Sequence, residues 1–311
     1  MSPLFTVATI SFNSGKWIRQ TIESILASSF TDFEFLISDD CSTDDTWAII
    51  KEYDDLRIKA WRNEWNIGEY PNRNAILKKA TGRYIIYIDG DDILYNASLR
   101  NLSEYISIFP EAGMLWGIPI YDFIIYPVEF SPEQILRIEF LGNYNWSMIG
   151  FPETVFKTEL LKQVGGFSEK YAIGDNYIKK KIALNTNVLL IPIGTAFWRV
   201  RVGQASQNVG ENYRSLLEQY EIDRNILKEV AFPLSKIDRK DAHDRLMRRT
   251  VIQILRNTIF KCKIGDFITL KKKTKISYVD FFRMFKKVRP NTKLGRSGED
   301  PLVNKYNFKK Q

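Results

Sequence analysis

Between Leu4 and Ile88 the chain alternates short apolar, β-branched runs with segments whose apolar residues recur at helical spacing. Leu4–Phe12, Phe33–Ser38, Arg57–Trp61 and Arg83–Ile88 read as strands. The stretch carrying Trp17, Ile18, Thr21, Ile22, Ile25 and Leu26 reads as a helix. So do the segment opened by Ser42-Thr43-Asp44-Asp45, running to about Tyr53, and Asn72–Ala80, which stops at Thr81-Gly82. Such alternation implies a mainly parallel sheet with helices on both faces, an α/β fold. Ligands of such sheets bind beyond the carboxyl ends of the strands. Two acidic clusters, Asp39-Asp40 and Asp89-Gly90-Asp91-Asp92, close strand runs, so they can converge in one crevice although fifty residues apart.

Composition narrows the chemistry. The 311 residues hold one histidine, His243, and two cysteines, Cys41 and Cys262. That excludes His-rich zinc sites, four-Cys zinc sites and a disulfide framework, and it places the chain in a reducing compartment. His243 lies in the charged run Asp241-Ala242-His243-Asp244-Arg245 and reads as a surface residue. Acid–base chemistry therefore falls to carboxylates.

Charge is uneven. From Leu255 to Gln311 the chain carries 16 Lys/Arg and 4 Asp/Glu, while the rest carries 29 and 33, so a mildly acidic body precedes a strongly basic tail. A tail of that kind meets something anionic: lipid headgroups, nucleic acid or an acidic partner. No leader is expected, and no apolar run reaches the ~18 residues of a membrane span. A cytoplasmic protein, peripheral on the inner face of the membrane, is the expectation.

Each acidic cluster admits two readings. Asp89 and Asp91, two apart on a chain leaving a strand, can point the same way, and Gly90 lets the backbone turn close to a ligand. They offer hard oxygen ligands for Mg²⁺ or Mn²⁺ bridging a diphosphate; alternatively the cluster is an acidic surface turn. Asp39 can accept from a nucleobase edge and Asp40 can bond ribose hydroxyls, while Ser42 or Thr43 caps the following helix. Both roles can hold there at once.

Five segments in this order resemble glycosyltransferase family 2: Val7-Ala8-Thr9-Ile10-Ser11-Phe12-Asn13; Leu36-Ile37-Ser38-Asp39-Asp40-Cys41-Ser42-Thr43-Asp44; Asn66-Ile67-Gly68; Arg73-Asn74; and Ala80-Thr81-Gly82-Arg83-Tyr84-Ile85 leading into Ile88-Asp89-Gly90-Asp91-Asp92. The resemblance covers about residues 4–200, most closely up to 100. It implies a nucleotide-sugar transferase with the Rossmann-like glycosyltransferase-A fold, a mainly parallel central sheet followed by a helical C-terminal extension. By position, Thr9 and Ser11 would lie in the loop packing the nucleobase. Asp39 would be the base-reading carboxylate with Asp40 its neighbour, and Arg73 would help hold the nucleotide. Asp91 would bind the metal directly, with Asp89 nearer the ribose or the metal's water.

Gly165-Gly166-Phe167-Ser168-Glu169, followed by Gly174-Asp175, resembles the acceptor-side segment of the family, whose acidic residue serves as general base. Here that residue would be Asp175, with Glu169 second; Asp175 could equally be the N-cap of the following helix. The family commonly has Glu-Asp where this chain has Gly174-Asp175. The Gln-x-x-Arg-Trp segment of processive members is absent, which favours transfer of a single sugar. Where relatives often carry a histidine, this chain has Trp198–Ser206, in which Arg201 could face the diphosphate or sit on a surface strand. Tyr144, Trp146, Met148 and Phe151 are either an acceptor platform or core.

The expected division is a catalytic domain over residues 1–205 (1–100 for the nucleotide-sugar, 101–205 for the acceptor) and a basic helical region over 206–311. The expected activity is a metal-dependent, inverting transfer from a UDP-sugar to a glycan or lipid-linked acceptor in cell-surface polysaccharide synthesis. Nucleic acid is not an expected partner. Two alternatives are a non-catalytic nucleotide-binding protein of the same fold and a nucleic-acid binder acting through its tail. In the tail, Ile276, Val279, Phe282, Met284 and Phe285 with basic neighbours suit a helix on an anionic membrane or one packed on the body.

Overall fold

The computed structural model describes residues 2–121, 124–142, 145–200, 213–261 and 263–286. The chain forms two compact units: Met1–Ser131 with Ser147–Lys170 and Gly174–Arg201, and Pro132–Trp146 with Tyr171–Ile173 and Val202–Gln311.

The first unit carries the alternation. Strands β1 (Phe5–Ser11), β2 (Phe33–Asp39), β3 (Ile58–Arg62) and β4 (Tyr84–Tyr87) are separated by helices α1 (Ile18–Leu26), α2 (Thr46–Ile50) and α3 (Glu69–Lys79). The remaining strands of the unit are β5 (Ile93–Leu94), β6 (Ala112–Ile118), β7 (Val128–Phe130), β8 (Thr154–Lys157), β9 (Asn187–Pro192) and β10 (Ala196–Phe197). Its other helices are α4 (Ser98–Ile108), α6 (Thr158–Gln163) and α7 (Gly174–Ala183). Eight strands make one sheet in the order β3-β2-β1-β4-β8-β6-β9-β7, and β5 pairs with β10. The pairs β1–β2, β2–β3, β1–β4 and β6–β9 are parallel, whereas β8 runs antiparallel to both its neighbours and β7 to β9.

β1, apart from Ile10, and β2 are buried at every residue because both faces are covered. Ile18, Ile22 and Ile25 of α1 share one core with Phe5, Val7, Phe35 and Ile37. β1 pairs with β2 on one side and β4 on the other, so the strand order reverses at β1. That reversal opens a crevice at the carboxyl ends of β1, β2 and β4.

The amino ends of these strands are fastened by Glu34, which sequence patterning does not reveal. Its buried carboxylate accepts from Thr6 Oγ1 at 2.8 Å, Thr81 N at 2.6 Å, Thr81 Oγ1 at 2.8 Å and Lys59 Nζ at 3.1 Å. Thr81-Gly82 is fitted to this cradle: a Cβ on Gly82 would collide with the backbone of Phe5 and Thr6.

In the second unit, α5 (Pro132–Leu141) joins α8 (Arg214–Ile226), α9 (Lys236–Asn257), α10 (Ile264–Thr274) and α11 (Tyr278–Lys286). A boundary at 205 would leave α5 and Tyr171–Ile173 in the catalytic domain. The structure groups them with the C-terminal helices instead. Arg137 bonds Asp238 at 2.9 Å, Phe140 meets Phe232 edge-on at 5.4 Å, and Glu218 accepts from Ala172 N at 2.7 Å.

Burial alone would raise the Glu34 carboxyl, but bonds from Thr81, Thr6 and Lys59 outweigh it and hold the pKa below the ordinary 4.5. A depressed carboxylate stabilises the fold above its unfolded pKa and loses that contribution as pH falls through the folded value. Glu34→Gln should lower unfolding stability by about 2 kcal/mol near neutral pH. In urea titrations the gap to wild type should shrink as pH drops below 4.5.

Candidate active site

The crevice is built by loops that follow β1, β2 and β4. After β4, residues 89–92 cross the end of β1: Gly90 N donates to Ile10 O at 3.0 Å, and a Cβ on Gly90 would stand 3.0 Å from Ser11 Cβ. Asp89 is the more open acid of this loop, with its side chain 31% exposed, and its Oδ2 accepts from Arg73 Nη2 at 2.8 Å. Its Oδ1 has no hydrogen-bond partner. Asp91 and Asp92 are buried. Burial, then the Asp89 and Asp91 charges, push the Asp92 carboxyl far above the usual carboxylate range, against a bond from Arg199 N.

Arg73 sits beneath Asp89. Its guanidinium is 1% exposed, bonds Glu69 at 3.1 Å and lies over the rings of Phe151 at 4.3 Å and Tyr87 at 5.2 Å. Burial would lower its pKa, but Asp89 and Glu69 more than reverse that, so it stays charged. Where the sequence resemblance implies a contact with a nucleotide, the guanidinium in this structure is covered by two rings and bonded to Asp89 and Glu69.

Thr9 and Ser11 belong to β1 and not to a loop. Thr9 is buried and donates to Ile88 O at 2.7 Å, while Ser11 Oγ donates to Asp39 Oδ1 at 3.3 Å. Asp39 is also buried, accepting from Ser42 Oγ, from Ser42 N at 3.1 Å and from Arg62 Nε at 3.4 Å. Asp40 accepts from Asn63 Nδ2, Ile67 N and Gly68 N, each at 2.9 Å. In this structure both carboxylates, expected to meet base and ribose, are bonded to the protein itself. The loop's own donors engage both carboxylates, which clamp the ends of β2 and of the Asn66-Ile67-Gly68 turn.

Asp175 falls in the first turn of α7, which begins at Gly174, so the pure N-cap reading gives way. Its charge reaches two neighbours. Crowding raises the Glu69 carboxyl against Arg73, and the charges of Asp89 and Asp175 raise it further. Burial, then Asp175 and Glu69, push the Tyr70 phenol up. Asp89, Arg73, Glu69 and Asp175 thus form one charged group, in which Glu69 had no sequence signal beyond its i,i+4 spacing to Arg73.

The absence of an acid at position 174 has a steric cause. Gly174 N donates to Tyr70 Oη at 2.8 Å, and a Cβ there would lie 2.8–3.1 Å from the Tyr70 ring. Asn74 joins the same region by a two-way clamp on Phe167, accepting from its N at 2.8 Å and donating to its O at 2.9 Å. Gly165 and Gly166, with φ of 90° and 72°, make the turn that presents Phe167 to it.

Arg201 and Tyr144 lie outside the described residues. Besides Arg73, a cation that meets the acidic loop is Arg199. Its Nε donates to Asp91 O at 2.8 Å, its Nη2 to Gln20 Oε1 at 2.9 Å, and the guanidinium stacks 4.2 Å from the Trp17 ring. Of the aromatic stretch, Trp146 and Phe151 are buried in their respective units and only Met148 is open, so packing is the fate of those two rings. Among the described residues no three acidic, His or Cys side chains converge to hold a metal unaided.

A family model described as glycosyl transferase family 2 matches residues 6–163. The Escherichia coli UDP-Glc:alpha-D-GlcNAc-diphosphoundecaprenol beta-1,3-glucosyltransferase WfaP is 30% identical over 240 residues, covering 73% of this chain and 86% of WfaP. The chain belongs to glycosyltransferase family 2. This glycosyltransferase also shares its fold with two solved structures of low identity. Staphylococcus aureus TarS 1–349, in complex with UDP-GlcNAc, gives a TM-score of 0.68 at 23% identity over 87% of this chain and 80% of that one. The Pyrobaculum calidifontis mannosyltransferase PcManGT, in complex with GDP-Man and Mn²⁺, gives 0.61 at 16% identity over 92% and 80%.

Removing one member of a buried ion pair leaves the other uncompensated. Arg73→Met should lower unfolding stability of this glycosyltransferase by about 3–5 kcal/mol, measured by chemical denaturation at neutral pH. Glu69→Gln, which loses only the more exposed partner, should cost less.

Proposed function

We propose that this glycosyltransferase moves one sugar from a UDP-sugar to a lipid-linked glycan in cell-surface polysaccharide assembly, with inversion at the anomeric carbon and with Mn²⁺ or Mg²⁺ held by Asp89 and Asp91. The observation that carries the reading is the convergence of two carboxylate positions, Asp89 after β4 and Asp175 on α7, around the buried Arg73 and Glu69. One side of that group suits a donor diphosphate and the other an acceptor hydroxyl.

A divalent ion fits the residues present. Asp89 Oδ1 lacks a partner, and Asp92, raised first by burial and then by the charges of Asp89 and Asp91, sits in a concentration of negative charge that a cation relieves. Two carboxylates completed by substrate phosphates are the usual Mg²⁺ arrangement, which accords with the lack of a three-ligand cage. When bound, the ion supplies positive charge to the departing diphosphate.

The chain's own residues do the rest. Arg73 holds Asp89 in place, and Arg199 pins the acidic loop by its backbone. Asp175 takes the proton of the attacking hydroxyl. Asp175 stands in the first turn of α7, on the acceptor side of the charged group. The relative WfaP is named for a β-1,3 bond made from UDP-glucose and for a diphosphoundecaprenol acceptor. UDP-glucose carries an α-linked sugar, so β-bond formation is inversion; this supports the stereochemistry, donor and acceptor class proposed.

Asp91→Asn should abolish Mn²⁺- or Mg²⁺-dependent transfer while leaving the circular dichroism and melting profile intact. Near wild-type turnover of that variant would remove the metal assignment. Asp175→Asn should cut turnover by ~10²–10⁴ with donor affinity unchanged, read by calorimetric titration of UDP-sugar. Equal loss of donor binding would place Asp175 on the donor side.

A further inference from the structure

The last two described helices of the second unit, α10 and α11, leave apolar side chains exposed on their outer faces. α11 packs Phe281 and Met284 inward, and Phe281 meets Phe267 of α10 edge-on at 5.4 Å. With that side occupied, Tyr278, Val279 and Phe282 point away and are 62%, 78% and 61% exposed. Phe282 follows Val279 by three residues and Tyr278 by four, so it shares a face with both. α10 repeats the pattern: Leu270 and Thr274 are buried, while Ile264 and Ile268, one turn apart, are 65% and 59% exposed. Lys271 continues that row and lays its ammonium over the Tyr278 ring, 3.1 Å from the centroid, so the two apolar rows meet.

The border of this face is cationic. Residues 261–275 hold six lysines and one acid, Asp266. Arg283 is answered inside the protein by Asp280 at 3.2 Å and Asp244 at 3.6 Å, which leaves the lysines to meet a partner.

We propose that the face made by Ile264, Ile268, Tyr278, Val279 and Phe282, with its lysine border, docks onto the anionic surface of a lipid bilayer. Apolar side chains enter the headgroup boundary, and lysine stems follow them while their ammonium groups stay among the phosphates. A second copy of the chain is a poorer occupant, because a twofold contact would set this lysine border against itself. The value of docking to the enzyme rests on the lipid-linked acceptor proposed above; the physical basis of docking does not.

Co-sedimentation of the full chain with vesicles tests the proposal. The wild type should pellet with vesicles containing phosphatidylglycerol, stay in solution with pure phosphatidylcholine, and release in high salt. Val279→Asp combined with Phe282→Asp should weaken binding about tenfold or more, and Lys271→Gln, Lys272→Gln and Lys273→Gln together should do the same. Both variants should keep the wild-type melting temperature and transfer to a detergent-dispersed acceptor. Failure of the wild type to bind anionic vesicles at low salt overturns the proposal. Undiminished binding by both variants overturns it too, as does a wild-type dimer that ignores vesicles and that the aspartate pair dissociates. Docking by the wild type without transfer to any lipid-linked acceptor supports the docking face and overturns the acceptor reading alone.

Discussion

A single buried guanidinium organises the catalytic unit. Arg73 is held between the rings of Phe151 and Tyr87 and shares its charge with Asp89 and Glu69. A cation removed from water at that depth persists only with anions beside it. The demand runs both ways: Asp89 and Glu69 are held in place by the guanidinium, and the helix α3 that carries Arg73 is tied to the loop after β4. Tyr87 Oη donates to Arg73 O at 3.1 Å, so the same strand that delivers the acidic loop also holds the helix.

Around that pair the crevice is braced in layers. The reversal of strand order at β1 opens the space, and Asp39 and Asp40 hold its far wall through hydrogen bonds to their own loops. Arg199 fastens the acidic loop from the other side through Asp91 O and Asp92 Oδ1. Asp89 and Asp91 are the pair that the proposed divalent ion would use, too few to cage it alone, which accords with an ion that arrives with its substrate. Tyr70 shows how a family pattern can change without loss of shape, its ring filling the space that a side chain at position 174 would take.

The second unit answers a different physical problem. Its helices pair ions internally, as in Arg137 with Asp238 and Arg245 with Asp241, while α10 and α11 leave apolar rows beside lysines. Among the described residues no helix is long and apolar enough to cross a membrane. A face of that composition is instead suited to lying along a charged interface.

The sequence by itself determined the strand–helix alternation, the placing of both acidic clusters at strand ends, the ordered family segments and the concentration of positive charge after Leu255. These are local properties, written in periodicity, turn residues and composition. Tertiary structure alone decided which acids are open and which are engaged. Asp39 and Asp89 look alike in sequence, yet one is enclosed by Ser11, Ser42 and Arg62 and the other keeps a free oxygen. It also decided that Arg199 meets the acidic loop, that Glu69 joins Asp175 near Arg73, that Gly174 yields to Tyr70, and that α5 leaves the catalytic unit for the C-terminal helices. Each of these depends on a partner tens of residues away, and a pairing across that distance is set by packing and hydrogen-bond satisfaction, which no local pattern encodes.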